Sequence, residues 1–220
     1  MSRTVQLAIK HALDRLMAVV LLCFLGPPML AIAAAIVIES GRPALFIQTR
    51  VGRHGRLFPV CKFRTMIQGA VHKGLGTTVA ADDERITKVG TFLRAWSLDE
   101  LPQLLNVMKG EMSLVGPRPT FEYQVTQYTP FQRRRLEMKP GITGWAQVNG
   151  RNALPWVERI ELDVWYVTHF SLLLDARILL RTIGVFVRRE GLYGPEGVND
   201  DFVQRNPSPW PSPSRGEGKE

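Results

Sequence analysis

From Leu16 to Ile38 the chain carries no charged side chain. A helix of that length, at about 1.5 Å per residue, reaches roughly 34 Å, enough to cross the hydrocarbon core of a bilayer. Membrane insertion is the default for such a segment. Its middle reads Gly26-Pro27-Pro28, where two successive prolines withdraw backbone donors and crowd the preceding turn, so a sharp bend is expected at Pro27 and Pro28. Basic residues flank the run on both sides: Arg3, Lys10 and Arg15 before it, Arg42, Arg50, Arg53, Arg56, Lys62 and Arg64 after it. By the positive-inside rule both ends face the cytoplasm. A single span would put one flank outside, whereas a helix that enters, breaks at the prolines and returns keeps both inside, with backbone groups freed at the break satisfied locally. The re-entrant arrangement is therefore preferred. Ala31-Ile32-Ala33 resembles a signal-peptide cleavage site, but the apolar run is too long for an ordinary signal peptide.

The remaining length suits one domain with its own core, giving three expected parts: a membrane helix hairpin over 1–40, a cytosolic domain over 41–190 and a flexible tail over 191–220. The formal net charge of +8 attracts phosphates, nucleic acid or an anionic leaflet. No segment interleaves aromatics with a basic stripe, so nucleic acid is not an expected partner. Cys23 and Cys61 lack metal-ligand spacing and read as reduced. His11, His54, His72 and His169 show no metal spacing either, and the glycine loops of P-loop and dinucleotide-binding enzymes are absent.

Short stretches rich in β-formers, Ala44 to Gln48 and Leu57 to Phe63, are separated by Gly52 and Gly55 and predict a hairpin. Residues Gln68 to Ala81 read as a polar loop. Leu101, Leu104, Leu105 and Met108 repeat at helical spacing, with Pro102 tolerable in a first turn and Gly110 as the stop. Four breakers between Lys139 and Asn152 predict irregular structure, after which Pro155 opens a helix to about Phe170. Ser171 caps a last helix in which apolar positions alternate with Arg177, Arg181, Arg188 and Arg189. That helix either lies on an anionic membrane surface or packs on the core with a solvated basic face. The fold class is α/β: a small hairpin or short sheet with surrounding helices, the N-terminal re-entrant membrane helix and amphipathic surface helices. From Asn206 on, composition predicts disorder.

The segment Ser97-Leu98-Asp99-Glu100-Leu101-Pro102-Gln103 sets two carboxylates at a helix entry. One reading is purely structural: Ser97 with Glu100 three residues on matches a capping box, and acids near a helix N-terminus are favoured by the macrodipole. The other is functional. Amides at a helix start keep a carboxylate ionised and attract phosphate, so Asp99 is a candidate nucleophile, with Glu100 holding a hard divalent cation. Pro117 and Pro119 hold Arg118 rigidly, so its guanidinium can fork onto a phosphate. Lys62, Arg64, Arg94 and Arg151 are further phosphate candidates.

Four ordered motifs, Lys62 to Met66, Ser97 to Gln103, Ser113 to Pro119 and Lys139 to Asn152, resemble those of the bacterial sugar transferases, the monotopic phosphoglycosyltransferases. The likeness runs to about residue 190 and matches the minimal catalytic form; Pro27 departs from relatives that place a small residue before the bend proline. The resemblance implies a two-step reaction: Asp99 attacks the sugar-linked phosphate of a UDP-sugar, UMP leaves, and polyprenol phosphate takes the phosphosugar. It further implies that Glu100 binds Mg2+, that Pro117-Arg118-Pro119 lies near the nucleotide, and that Lys62, Arg94 and Arg151 bind phosphates. Catalysis of this kind is expected on the cytoplasmic face of a bacterial inner membrane, against its phospholipids, at the start of surface glycan synthesis. The carried sugar, and whether the chain forms a homo-oligomer, are left open. Two other readings remain: single-step transfer in which the acids only bind metal, and a basic membrane-anchored binding module.

Overall fold

A computed structural model describes residues 2–70, 79–80, 83–188 and 198–199. The first element, α1 (Arg3–Ser40), stays helical through Pro27 and Pro28, although neither can donate the bond that an interior helical residue makes. The expected break is thus not a break in the helix. Both prolines lie on its exposed side. Leu7, Lys10, Asp14, Ala18, Leu21, Leu25, Met29, Ile32 and Ile36 recur every three or four residues and pack on the domain, while Leu16, Phe24, Leu30 and Ile38 stand on the outer side. The helix is long and apolar enough to cross a membrane.

Both ends of α1 are held by the same domain. Arg3 donates to the Val167 carbonyl at 2.8 Å, and Lys10 pairs with Asp175 at 2.6 Å and with Asp14 at 3.4 Å. At the other end Glu39 accepts from the Lys88 and Val89 amides at 2.8 and 3.0 Å. Contacts to the domain therefore run along the whole length of α1.

The predicted hairpin is present as β1 (Leu45–Val51) and β2 (Leu57–Phe63), antiparallel, with Leu45 opposite Phe63 and Val51 opposite Leu57. Val79–Ala80 (β3), inside the stretch read as loop, pairs with Val198–Asn199 (β6); residues 71–78 and 81 of that loop, and 191–197 and 200–220 of the expected tail, lie outside the described residues. Then come α2 (Lys88–Ala95), α3 (Gln103–Lys109), β4 (Ser113–Val115), the short helices α4 (Glu122–Thr126) and α5 (Pro130–Arg133), β5 (Gly141–Thr143), α6 (Trp145–Val148), α7 (Trp156–Thr168) and α8 (Leu172–Arg188). Gly110 ends α3 in the left-handed region at φ 83°, as a helix-stopping glycine does.

The Lys139–Asn152 stretch corrects the expectation of irregular structure, since it folds into β5 and α6. Parallel pairing of β4 with β5 requires backbones to touch: a Cβ on Gly141 would sit 2.1 Å from the Gly116 amide nitrogen, and one on Gly144 2.2 Å from the Gly116 carbonyl oxygen. Glycine is used here for close approach. The main core joins Phe58 and Val60 of β2, Leu104 and Val107 of α3, Leu114 and Val115 of β4, Tyr166 and Val167 of α7, and Ile178 of α8 to the first half of α1. A second cluster of Phe63 and Leu93 takes Ile36 from its second half. On α8, Leu173, Leu180 and Ile183 are exposed, so its outward face is apolar as well as basic.

Candidate active site

Three connections bring the motif residues together. Asn106 stitches α3 to β2, accepting from the Cys61 amide at 3.1 Å and donating to the Pro59 carbonyl at 2.7 Å. This sets the turn before α3 beside Lys62. The α2 helix, capped by Thr87, lies so close to Thr65 that a Cβ on Gly90 would be 2.0 Å from its carbonyl oxygen, and it delivers Arg94 and Ser97. The parallel β4 and β5 point their following segments the same way, one leading to Arg118 and the other to Gln147 of α6 and then Arg151, at the end where parallel strands present ligand sites.

Asp99 and Glu100 sit on a single 3-10 turn, Leu98–Glu100, ahead of α3. The capping box does not form. Ser97 is left-handed at φ 52° and caps nothing; its hydroxyl accepts from Arg151 Nη2 at 3.0 Å. Glu100 Oε1 takes both Lys62 Nζ and an Arg118 guanidinium nitrogen at 2.8 Å. Burial pushes the Glu100 carboxyl up, but Arg118 and Lys62 together outweigh it and hold the group well below the usual carboxylate range. Asp99 goes the other way. Burial raises it, helped by the neighbouring Glu100 charge and opposed by Lys62, Arg94 and Arg118.

A cavity of about 230 Å3 opens against this group. Glu100, Arg118, Arg151 and Ser97 form its polar end; Leu21 and Leu25 of α1 and Leu179, Val185 and Phe186 of α8 form much of its apolar wall. A smaller cavity of about 30 Å3 shares Arg118, Gln147 and Arg151 with it. Burial and the nearby Arg118 charge depress the Arg151 guanidinium, and burial followed by Arg118 lowers Arg159 to about 10. Clustered cations that disfavour one another are stabilised by an anion placed among them.

The structure thus brings together Asp99, Glu100, Lys62, Arg94, Arg118 and Arg151. Arg94 Nη1 is buried without a hydrogen-bond partner. Asp99 itself lines neither cavity, nor does Pro117 or Pro119; the Pro117 carbonyl instead accepts from the Gly141 amide at 2.9 Å and ties the arginine loop to β5. Arg64 is drawn elsewhere, donating to the Ser40 carbonyl and hydroxyl at 2.9 and 2.8 Å. Sequence reasoning missed Gln147, Arg159 and the fully buried pair of Arg135 with Asp163. Arg159 and Asp163, four residues apart on α7, were the one available signal of a charged inward face.

Residues 5–189 match the family model described as bacterial sugar transferase. The chain is 46% identical to an uncharacterized sugar transferase, EpsL, of Bacillus subtilis, over 84% of this chain and 90% of that one. It is 40% identical to the undecaprenyl-phosphate galactose phosphotransferase of Salmonella typhimurium over 84% of this chain, and 45% identical to the UDP-glucose:undecaprenyl-phosphate glucose-1-phosphate transferase of Xanthomonas campestris over 77%. Of those two longer proteins it spans 42% and 37%. With residues of these motifs meeting around Glu100 and the family match covering residues 5–189, the chain belongs to the bacterial sugar transferase family and is an enzyme of that class.

Proposed function

We propose that this enzyme transfers a sugar-1-phosphate from a UDP-sugar to undecaprenyl phosphate, releasing UMP, through a covalent aspartyl-phosphosugar on Asp99. The observation that carries this reading is the Asp99–Glu100 pair ringed by Lys62, Arg94 and Arg118, beside a cavity that is cationic at one end and walled by α1 and α8 at the other. A diphosphate suits the first end and a polyprenyl chain the second.

In the first step an Asp99 carboxylate oxygen attacks the sugar-linked phosphorus; the bond from that phosphorus to the bridging oxygen breaks and its electrons leave with UMP. In the second, a phosphate oxygen of the acceptor attacks the same phosphorus and the carboxylate is regenerated. An anion attacking a diphosphate is repelled, so Lys62, Arg94, Arg118 and Arg151 offset charge on the donor and on the departing phosphate. Raising the Asp99 carboxyl makes its ionised form the more basic oxygen, while Glu100 stays ionised.

Lys62 and Arg118 both bind Oε1 of Glu100, leaving Oε2 outside either ion pair. Among the described residues no three His, Cys, Asp or Glu side chains cluster to hold a metal by themselves. That donor set fits Mg2+ held by Glu100 and completed by donor phosphates, and the ion when bound supplies further charge neutralisation. The outward apolar faces of α1 and α8, with Arg177 and Arg181 exposed on α8, support docking on the cytoplasmic leaflet of the inner membrane, at the opening step of surface glycan synthesis.

The test is UMP release from a panel of UDP-sugars with undecaprenyl phosphate in detergent, together with intact-protein mass spectrometry. Wild type is expected to gain the mass of one phosphosugar when acceptor is withheld, and Asp99→Asn to show neither adduct nor turnover. An Asn variant that still turns over would leave the acids a metal-binding role in single-step transfer.

A further inference from the structure

The smaller cavity concentrates buried polar atoms without protein partners. Gln147 is 9% exposed, and both its amide oxygen and its amide nitrogen are buried with no hydrogen bond. Asp163 Oδ1 and Arg135 Nε are in the same condition, and all three residues line this cavity with Trp156. Their other polar atoms are well used: Arg135 reaches the Tyr128 hydroxyl at 2.6 Å, the Arg118 carbonyl at 3.0 Å and Asp163 Oδ2. An unmade hydrogen bond on a buried group costs about 1–3 kcal/mol, so three lining residues that carry four such atoms between them mark a place suited to a polar ligand.

The atoms define that ligand. Asp163 Oδ1 and Gln147 Oε1 need donors, whereas Gln147 Nε2 and Arg135 Nε need acceptors. The imide edge of uracil brings a single N–H donor and leaves one of the two oxygens unmet. Two adjacent hydroxyls bring two donors and several lone pairs. Size allows it: a hydroxyl- or water-sized group needs roughly 10–15 Å3, and the cavity offers about 30 Å3. The position agrees as well, since Arg118, Gln147 and Arg151 line this cavity and the larger one beside Glu100.

We propose that this cavity binds a vicinal hydroxyl pair of the nucleotide-sugar donor, with Gln147 as the residue that reads it. The inference rests on the transfer activity proposed above and names the part of the donor recognised there. Both the hexose and the ribose carry such a pair. Gly144 makes room for the reader: a Cβ there would lie 2.6 Å from Gln147 Oε1.

The test is kcat/KM for UMP release, in wild type and Gln147→Met, with the UDP-hexose the enzyme turns over, its singly deoxygenated hexose analogues, and its 2′-deoxy- and 3′-deoxyuridine analogues. Gln147→Met is expected to lower kcat/KM for the parent donor about tenfold, the size of one lost hydrogen bond, and to leave unchanged the value for the analogue lacking the hydroxyl it reads. If that analogue is in the hexose series the pair belongs to the sugar; if in the ribose series, to the nucleoside. The same loss for every donor, or no loss with the parent, overturns the proposal and leaves the cavity to water. Melting curves check the fold, and Gln147→Glu, which keeps an acceptor and loses a donor, gives a second reading with the same expected analogue dependence. Wild type that turns over no UDP-sugar brings down the transfer reading too, whereas turnover without analogue dependence removes this inference alone.

Discussion

Arg151 donates a 3.0 Å hydrogen bond to the hydroxyl of Ser97, and both residues hold left-handed backbone, at φ 54° and 52°. Each such non-glycine conformation costs about 1 kcal/mol or more, so two clasped together beside the acidic pair represent stored strain at the site. Glycine adopts this backbone freely. Ser97→Gly is therefore expected to melt no lower than wild type while losing donor affinity, because Arg151 loses its anchor. Ser97→Ala is expected to lose both. Melting curves and KM for the UDP-sugar separate the two contributions.

The acid limb of kcat/KM is expected to report Asp99. Its carboxyl is raised from 3.8, chiefly by burial, and in the proposed reaction only the ionised form attacks, so activity is expected to fall as pH drops through a midpoint above that of an ordinary aspartate. Glu100, held low by Arg118 and Lys62, adds no limb in that window. Lys62 is the cation that most lowers Asp99. Lys62→Met is thus expected to move the midpoint to higher pH in whatever activity remains; a shift downward would show that Asp99 is not the titrating group.

Two glycines are expected to respond oppositely to alanine. Gly144→Ala meets the Gly116 carbonyl oxygen at 2.2 Å and must push β4 from β5, at about 1–3 kcal/mol. At about 2–4 °C per kcal/mol for a chain of this size, melting should fall measurably. Gly26, in α1, has nothing within 4 Å; alanine there should be neutral or stabilising by about 0.5–1 kcal/mol.

Lys10 is 2% exposed and pairs with Asp175, which also accepts from the Tyr166 hydroxyl at 2.7 Å. Lys10→Met strands a buried carboxylate and is expected to cost about 3–5 kcal/mol. Adding Asp175→Leu to Lys10→Met should recover only part of that loss, because Asp14 still lacks its cation and the Tyr166 hydroxyl loses its acceptor, and a thermal double-mutant cycle reads the difference.

Local patterns made the hairpin, α3 with its Gly110 stop, α7 after Pro155 and the Ser171 cap of α8 legible before any coordinates, because each is set by neighbours in the chain. The acidic pair and Arg118 stood out as candidates for the same reason, and the structure places Arg118 on Glu100. Long-range pairings were not. Arg151 meets Ser97 across 54 positions and Arg135 meets Asp163 across 28, and nothing at either partner announces the other. The glycines of Lys139–Asn152 read as breakers, although there they permit two backbones to touch. The prolines of α1 read as a break, yet α1 carries both inside one helix, because the outward position of their rings leaves the packed face intact.

That packed face has a practical consequence. Leu21 and Leu25 wall the larger cavity while Phe24, between them in sequence, points outward, so one stretch of helix carries both a cavity wall and an exposed apolar side. Cutting the chain after Ser40 to obtain a water-soluble enzyme would open the chamber on one side and bare Phe63 and Leu93, which Ile36 covers. Covering the exposed apolar side of α1 with detergent, rather than removing the helix, is therefore the way to keep that chamber closed during purification.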